Sequence, residues 1–233
     1  ACPSLSNAQT NVQLEALKRL KNLDLEANPS LKNAVLNILK DSKGKPAFVE
    51  IIRDFKLKGH EVDLIRFSQA NPKDSTGVEA MRLALTEPGL KLVTATINST
   101  DTKAALNTTQ ALANAQLQKG EPILLNVVKD GKKPLALRTT ALKGLAKSKT
   151  GAESLIKAAR AGQLDSDLNF IAGNALRSVR WKEINKAATK LFPEIRGLDQ
   201  ALPPLAKLVT MKGDVANGEK IFFRAQSTCA TCH

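Results

Sequence analysis

An all-α fold is predicted by three features of this 233-residue sequence. Alanine, leucine and lysine are abundant while aromatic residues make up only 3% and tyrosine is absent, a balance of small and unbranched side chains that lose little freedom in a helix. Apolar residues recur three and four positions apart in short stretches. Proline, glycine and asparagine-proline pairs separate those stretches. With 42% apolar residues the chain can bury a core of one large or two ordinary domains.

Taken in order, Leu14, Leu17, Leu20 and Leu23 line one side of a first helix. Asn28 and Pro29 read as a cap and a first-turn proline, with Leu31, Val35, Leu36 and Leu39 as the next apolar stripe. After Gly44 and Pro46, the residues Phe48, Ile51, Ile52 and Phe55 predict a third helix ending near Gly59. Val62, Ile65 and Phe67 continue into a fourth, up to Asn71-Pro72. Ser75 is expected to cap a helix carrying Val78, Met81, Leu83 and Leu85, stopped by Pro88-Gly89. Asp101 and Ser166 also read as helix caps, His60 as a turn residue, and Trp181 as a packing residue within reach of Arg177 and Arg180.

The second half contains a repeat at an offset of 31 residues, counted from the pairs that follow. Leu124 and Leu125 correspond to Leu155 and Ile156, Gly131 to Gly162, Leu137 to Leu168, Ala141 to Ala172, and Leu145 to Leu176. Each copy predicts a helix, a glycine-containing turn and a second helix with apolar positions four apart. Such pairs bury their apolar faces by stacking on neighbours, which predicts an α-solenoid over residues 1–208. A non-repeating helical bundle is the alternative. Pro203-Pro204 and the run Thr210 to Asp214 then mark a linker, so residues 209–233 are assigned to the start of a second domain.

The net charge of +13 comes from 35 Lys and Arg against 22 Asp and Glu, spread along the chain. An excess of this kind attracts acidic protein surfaces or polyanions without specifying one. Arg138, Lys143, Lys147, Lys149, Arg177, Arg180 and Lys182 cluster near adjacent predicted helix ends and frame a rival function, a basic helical module that binds an acidic protein or nucleic acid. The scarcity of aromatic side chains for base stacking counts against nucleic acid. No apolar run approaches the roughly 20 residues needed to span a bilayer. No signal peptide is read at Ala1 to Ser6, which suggests a removed leader or a start inside a longer polypeptide. No Ser-His-Asp set, phosphate loop or nucleotide fingerprint is found, so no catalytic residue is assigned.

The final residues Cys229-Ala230-Thr231-Cys232-His233 spell C-x-x-C-H, the spacing that lets two thiols reach two vinyl groups of a haem while the next imidazole reaches the iron. Zinc is a rival, because two thiolates and an imidazole suit a tetrahedral site, but His60 and Cys2 are the only further candidates. A thioredoxin-like pair lacks its strand-helix-strand surroundings. Cys2 reads as a free thiol or a remnant of processing. A haem domain needs chain beyond its attachment site, so the sequence is read as a larger protein cut within that domain. Met81 sits at an apolar helical position and Met211 precedes the attachment helix, so neither is assigned as a second axial ligand.

Gly213-Asp214-Val215-Ala216-Asn217-Gly218-Glu219-Lys220-Ile221-Phe222 followed by C-x-x-C-H resembles the opening of class I cytochromes c, where a G-D-x-x-x-G-x-x-x-F helix precedes the attachment site. The resemblance implies covalent haem c on Cys229 and Cys232, His233 as an axial ligand, a cap at Asp214, a close approach at Gly218 and packing of Phe222 or Phe223 toward the haem. Residues 223–228 make a longer spacer than small cytochromes have. From about Glu121 to His233 the sequence also resembles the C-terminal half of the multidomain haem-binding proteins common in planctomycetes and verrucomicrobia, in which HEAT-like repeats lead into a cytochrome c domain. That resemblance implies a HEAT-like solenoid followed by the first helix of a truncated cytochrome c domain. It further implies electron transfer with a redox partner or an adjacent dehydrogenase-like domain, and a periplasmic or otherwise exported location.

Overall fold

The computed structural model describes residues 12, 15–21, 24–192, 204–210 and 212–224. Cys2, Met211, Cys229, Cys232 and His233 lie outside the described residues, as do Leu14 and Leu23 of the first predicted helix. Every regular element among the described residues is helical, and none is a strand. The chain divides into two compact units, with the boundary between Gly120 and Glu121.

In the first unit, helical residues 15–20 place Leu17 in the core. They are followed by α1 (Pro29–Asp41), α2 (Pro46–Asp54), α3 (Glu61–Ala70), α4 (Ser75–Ala84), α5 (Glu87–Ile97) and α6 (Thr102–Ala115). Pro29 and Pro46 sit in the first turns of α1 and α2, where a missing N–H costs nothing. Asn28 does not cap α1, and its side-chain amide instead donates to the Asp24 carbonyl at 2.8 Å. The buried residues Val35, Leu39, Phe48, Ile51, Ile52, Ile65, Phe67 and Met81 form the core on the predicted stripes, whereas in α3 the buried position is Leu64 and the predicted Val62 is exposed. Each such leucine or phenylalanine contributes roughly 1.5–3 kcal/mol by leaving water. Leu36 stays 40% exposed and does not belong to that core.

Two sequence expectations fail in α4 and α5 for the same reason, a tight turn. Asp74, not Ser75, caps α4, its carboxylate accepting from the N–H groups of Thr76 and Gly77, and Ser75 is already helical. Pro88-Gly89 does not end a helix. It lies in the first turn of α5, where Thr86 Oγ1 accepts from Gly89 N–H at 3.3 Å and proline is tolerated.

The third predicted helix ends at Asp54, short of Gly59, because Lys56 takes a left-handed conformation (φ 52°). The N–H of Leu57 donates to the Ile52 carbonyl and that of Lys56 to the Arg53 carbonyl, the paired bonds of a Schellman termination. In the second unit Gly162 (φ 67°) and Gln163 make the same pair with Ala159 and Ala158. Lysine thus occupies a position that glycine fills without strain. Lys56→Gly is expected to raise stability by about 0.5–1 kcal/mol, read as a higher urea midpoint. A lower midpoint would show that the Lys56 side chain supports the turn.

The second unit contains α7 (Glu121–Lys129), α8 (Leu135–Leu145), α9 (Lys149–Arg160), α10 (Asn169–Arg177), α11 (Lys182–Leu191), the single-turn α12 (Leu205–Leu208) and α13 (Val215–Phe222). The repeat-related positions take matching places. Leu124 and Leu155, Leu137 and Leu168, Ala141 and Ala172, and Leu145 and Leu176 are all buried, whereas Ile156 is buried and Leu125 only half-buried. Leu168 closes a short 3-10 turn ahead of α10, whereas its counterpart Leu137 lies within α8. Ser166 opens that turn without capping it, and Asp165 precedes it. In this unit α7 packs on α8 and α9, α8 on α9 and α10, and α11 on α9 and α10. In the first unit α2 similarly packs on α1 and α4, and α6 on α3, α4 and α5.

Candidate functional site

Asp214, with extended backbone, accepts from the Asn217 N–H through Oδ1 at 3.0 Å, while its carbonyl accepts from the Gly218 N–H at 2.8 Å. This satisfies the first turn of α13, as the sequence predicts. Val215, Gly218 and Phe222 fall on one face at helical spacing. No residue of α13 is buried, Val215 is 87% exposed, and a Cβ on Gly218 would meet nothing within 4 Å. Phe222 and Phe223 meet edge to face with ring centroids 5.2 Å apart, so the two rings form one aromatic edge. Phe223 is 67% exposed. The helix leading to Cys229 therefore carries an uncovered apolar face, divided by a glycine that admits a flat group or another backbone closely.

The attachment residues Cys229, Cys232 and His233 themselves lie outside the described residues. His60, the other imidazole, precedes α3 and sits edge-on to Phe48 with centroids 6.1 Å apart. Met81 is fully buried in α4, as its apolar position predicts. Among the described residues no three His, Cys, Asp or Glu side chains are grouped to hold a metal ion. No described helix is long and apolar enough to cross a membrane.

The cations near the helix ends of the second unit separate into two sets. Arg138 is 5% exposed and belongs to the core structure. Its guanidinium donates to Asp165 Oδ2 at 2.9 Å, to Asp167 Oδ1 and Oδ2 at 3.1 and 2.5 Å, and to the Lys133 carbonyl at 3.1 Å. Arg177 donates to the Phe192 carbonyl at 2.6 Å and to Asn174 at 3.0 Å. Lys149 stands 3.9 Å from Glu153. Lys143, Lys147 and Arg180 instead line an open groove of about 350 Å³ with Ala146, Ala175, Ser178, Val179 and Trp181. Arg180 lies over the Trp181 ring, 5.2 Å from its centroid, so the tryptophan stacks on an arginine and stays half-buried.

A larger groove of about 990 Å³ in the first unit is bordered by opposite charges already in contact. Lys32 meets Glu26 at 2.7 Å and Arg53 meets Asp54 at 2.8 Å. The hydrogen bond that Arg53 donates to Asp54 holds its guanidinium above the ordinary pKa. The chain matches no protein-family model, no curated protein and no solved structure.

Proposed function

We propose that this chain is the scaffold and haem-attachment portion of a c-type haem protein that transfers single electrons. Cys229 and Cys232 would hold haem c through two thioether bonds and His233 would bind its iron. The observation that carries the reading is the C-x-x-C-H spacing following an Asp214-capped helix with an exposed apolar face. Bound haem supplies a reversible one-electron iron couple. The protein's own contribution is to orient the macrocycle: the capped α13 sets the direction of the chain entering the attachment site, and Phe222 and Phe223 supply apolar edge. With haem bound, those rings would keep water from part of it, which would favour the less charged iron state.

Helix pairs such as α7 with α8 and α10 with α11, joined by contacts of α7 with α9, α8 with α10 and α9 with α11, support a HEAT-like solenoid scaffold. Its role is to present the electron-transfer centre to a redox partner or an adjacent dehydrogenase-like domain. Exported, periplasmic placement follows from where covalent haem attachment takes place. The chain is proposed to be one of the planctomycete and verrucomicrobial multidomain haem proteins, in which HEAT-like repeats lead into a cytochrome c domain.

Expression of the native polypeptide containing these residues in a host that attaches haem covalently is expected to yield haem colour that survives denaturing electrophoresis. Cys229→Ser combined with Cys232→Ser is expected to abolish it. His233→Ala is expected to retain the attached haem and shift its visible spectrum. Colourless protein, or stoichiometric zinc in its place, overturns the proposal.

A further inference from the structure

The groove of about 990 Å³ in the first unit is lined by the turn before α1, by α1 itself and by the connection between α2 and α3. Leu25, Leu36, Phe55 and Leu57 give it apolar walls, and Leu36 is the exposed member of the α1 stripe. Its carboxylates are already engaged. Asp24 accepts from the Glu26 N–H at 2.8 Å, Glu26 from Lys32 at 2.7 Å and Asp54 from Arg53 at 2.8 Å. The other cations of the lining, Lys21, Lys56 and Lys58, are exposed, and among the described residues none of their ammonium groups meets an acceptor. Positive charge in excess of the local carboxylates therefore stands beside an apolar surface.

Lys56 is the residue of this lining that the fold does not account for. The turn it occupies is closed by main-chain bonds, from the N–H of Leu57 to Ile52 and from its own N–H to Arg53, and Gly162 closes the corresponding turn of the second unit. A left-handed lysine (φ 52°) strains that turn where glycine would not. Strained residues held in place by the surrounding structure cluster at ligand sites. Gly59 (φ 81°) is left-handed as well, so Lys56 and Lys58 stand on one short connection whose path is set by its backbone.

We propose that this groove binds a small phosphate monoester with an apolar body. Lys56 and Lys58 hold the phosphate, Lys21 adds to the attraction, and the body rests on Leu36, Phe55 and Leu57. Phosphate is favoured over carboxylate because the guanidinium of the groove, Arg53, already donates to Asp54. The cations left to a ligand are ammonium groups, compact point charges that suit a tetrahedral dianion, whereas a planar carboxylate is best matched by an arginine fork. The volume is that of a site for an organic molecule and exceeds what a bare phosphate fills. Haem attachment plays no part in this, since every residue named belongs to the first unit.

The test is isothermal titration of the full chain with naphthyl phosphate, inorganic phosphate and naphthol. Naphthyl phosphate is expected to bind at least about tenfold more tightly than either of the others, because each of those lacks one half of the contact. Lys56→Gly combined with Lys58→Gln is expected to weaken naphthyl phosphate by about tenfold or more. The charge-matched Lys91→Gln with Lys103→Gln, on α5 and α6 and away from the groove, changes it by no more than about twofold. All four positions are exposed, so both double variants are expected to keep the parental circular dichroism. Equal weakening in the two would reveal diffuse attraction and overturn the proposal. Inorganic phosphate or naphthol binding as tightly as the ester overturns it too, as does capture of the chain by phosphatidate vesicles with no binding of naphthyl phosphate, which would mark a membrane contact instead.

Discussion

Replacing Arg138 by alanine is expected to destabilise the second unit by about 3–5 kcal/mol, the usual consequence of breaking a buried ion pair from one side. Arg138 closes the turn between α7 and α8 onto the Asp165–Asp167 segment, satisfying carboxylate oxygens from two residues and the Lys133 carbonyl at once. Alanine removes all these donors at once and leaves the Lys133 carbonyl and the partly shielded Asp167 carboxylate without this partner. The two acidic partners are not equivalent. Asp165 has a side chain 52% exposed and is screened by solvent, whereas the Asp167 side chain is 25% exposed and takes both oxygens to the guanidinium. Asp167→Asn is therefore expected to cost more than Asp165→Asn, and Arg138→Lys to recover less than half of the alanine loss, because an ammonium cannot match the fork. Thermal unfolding of these variants measures the order. The reverse order for the two asparagine variants would show that the shielded pair is not what holds this turn.

A second large loss is expected at Gly77. A Cβ added there would be driven into the Asn71 carbonyl oxygen, a backbone atom that no rotamer change can move aside. Gly89 faces the Ala84 carbonyl in the same way, and Gly151 faces that of Leu145. At each of the three, the capping side chain of Asp74, Thr86 or Ser148 accepts from the glycine N–H, so the helix begins directly against the end of the preceding one. Gly77→Ala is expected to cost about 3 kcal/mol or more, since relief requires shifting α4 away from α3 and opening their shared core. Gly218→Ala is the comparison, with open space and a helical backbone, and is expected to stabilise by roughly 0.5–1 kcal/mol. Urea unfolding of the two variants decides the matter. A Gly77→Ala midpoint close to that of the parent would mean the two helix ends do not approach as described.

The same turns explain which sequence readings succeeded. Asp101 and Asp214 cap their helices as expected, each carboxylate accepting from the backbone N–H three residues on. Asp74-Ser75 and Asp165-Ser166 each offer two candidate caps in succession, and the serine was the wrong choice both times. In the first pair the aspartate adopts extended backbone and caps. In the second the aspartate also precedes the turn, but its carboxylate is taken by Arg138 from 27 residues away, so no local pattern reveals its use. The pair Pro88-Gly89 misleads for a related reason: proline is compatible with both the end of one helix and the start of the next. The candidate attachment site, by contrast, is legible from spacing alone, because its chemistry depends on residues adjacent in the chain.

Helical class, the buried stripes, the repeated pair in the second half and the terminal C-x-x-C-H were all determined by residues close together in sequence, where periodicity and neighbour spacing carry the information. Only the tertiary structure decided which basic side chains are spent inside and which face solvent. Arg138 and Arg177 are drawn into bonds with distant acceptors, while Lys143, Lys147 and Arg180 gather around one groove from separate elements. A charge has no periodic signature, and its role depends on what folding brings within a few ångströms of it.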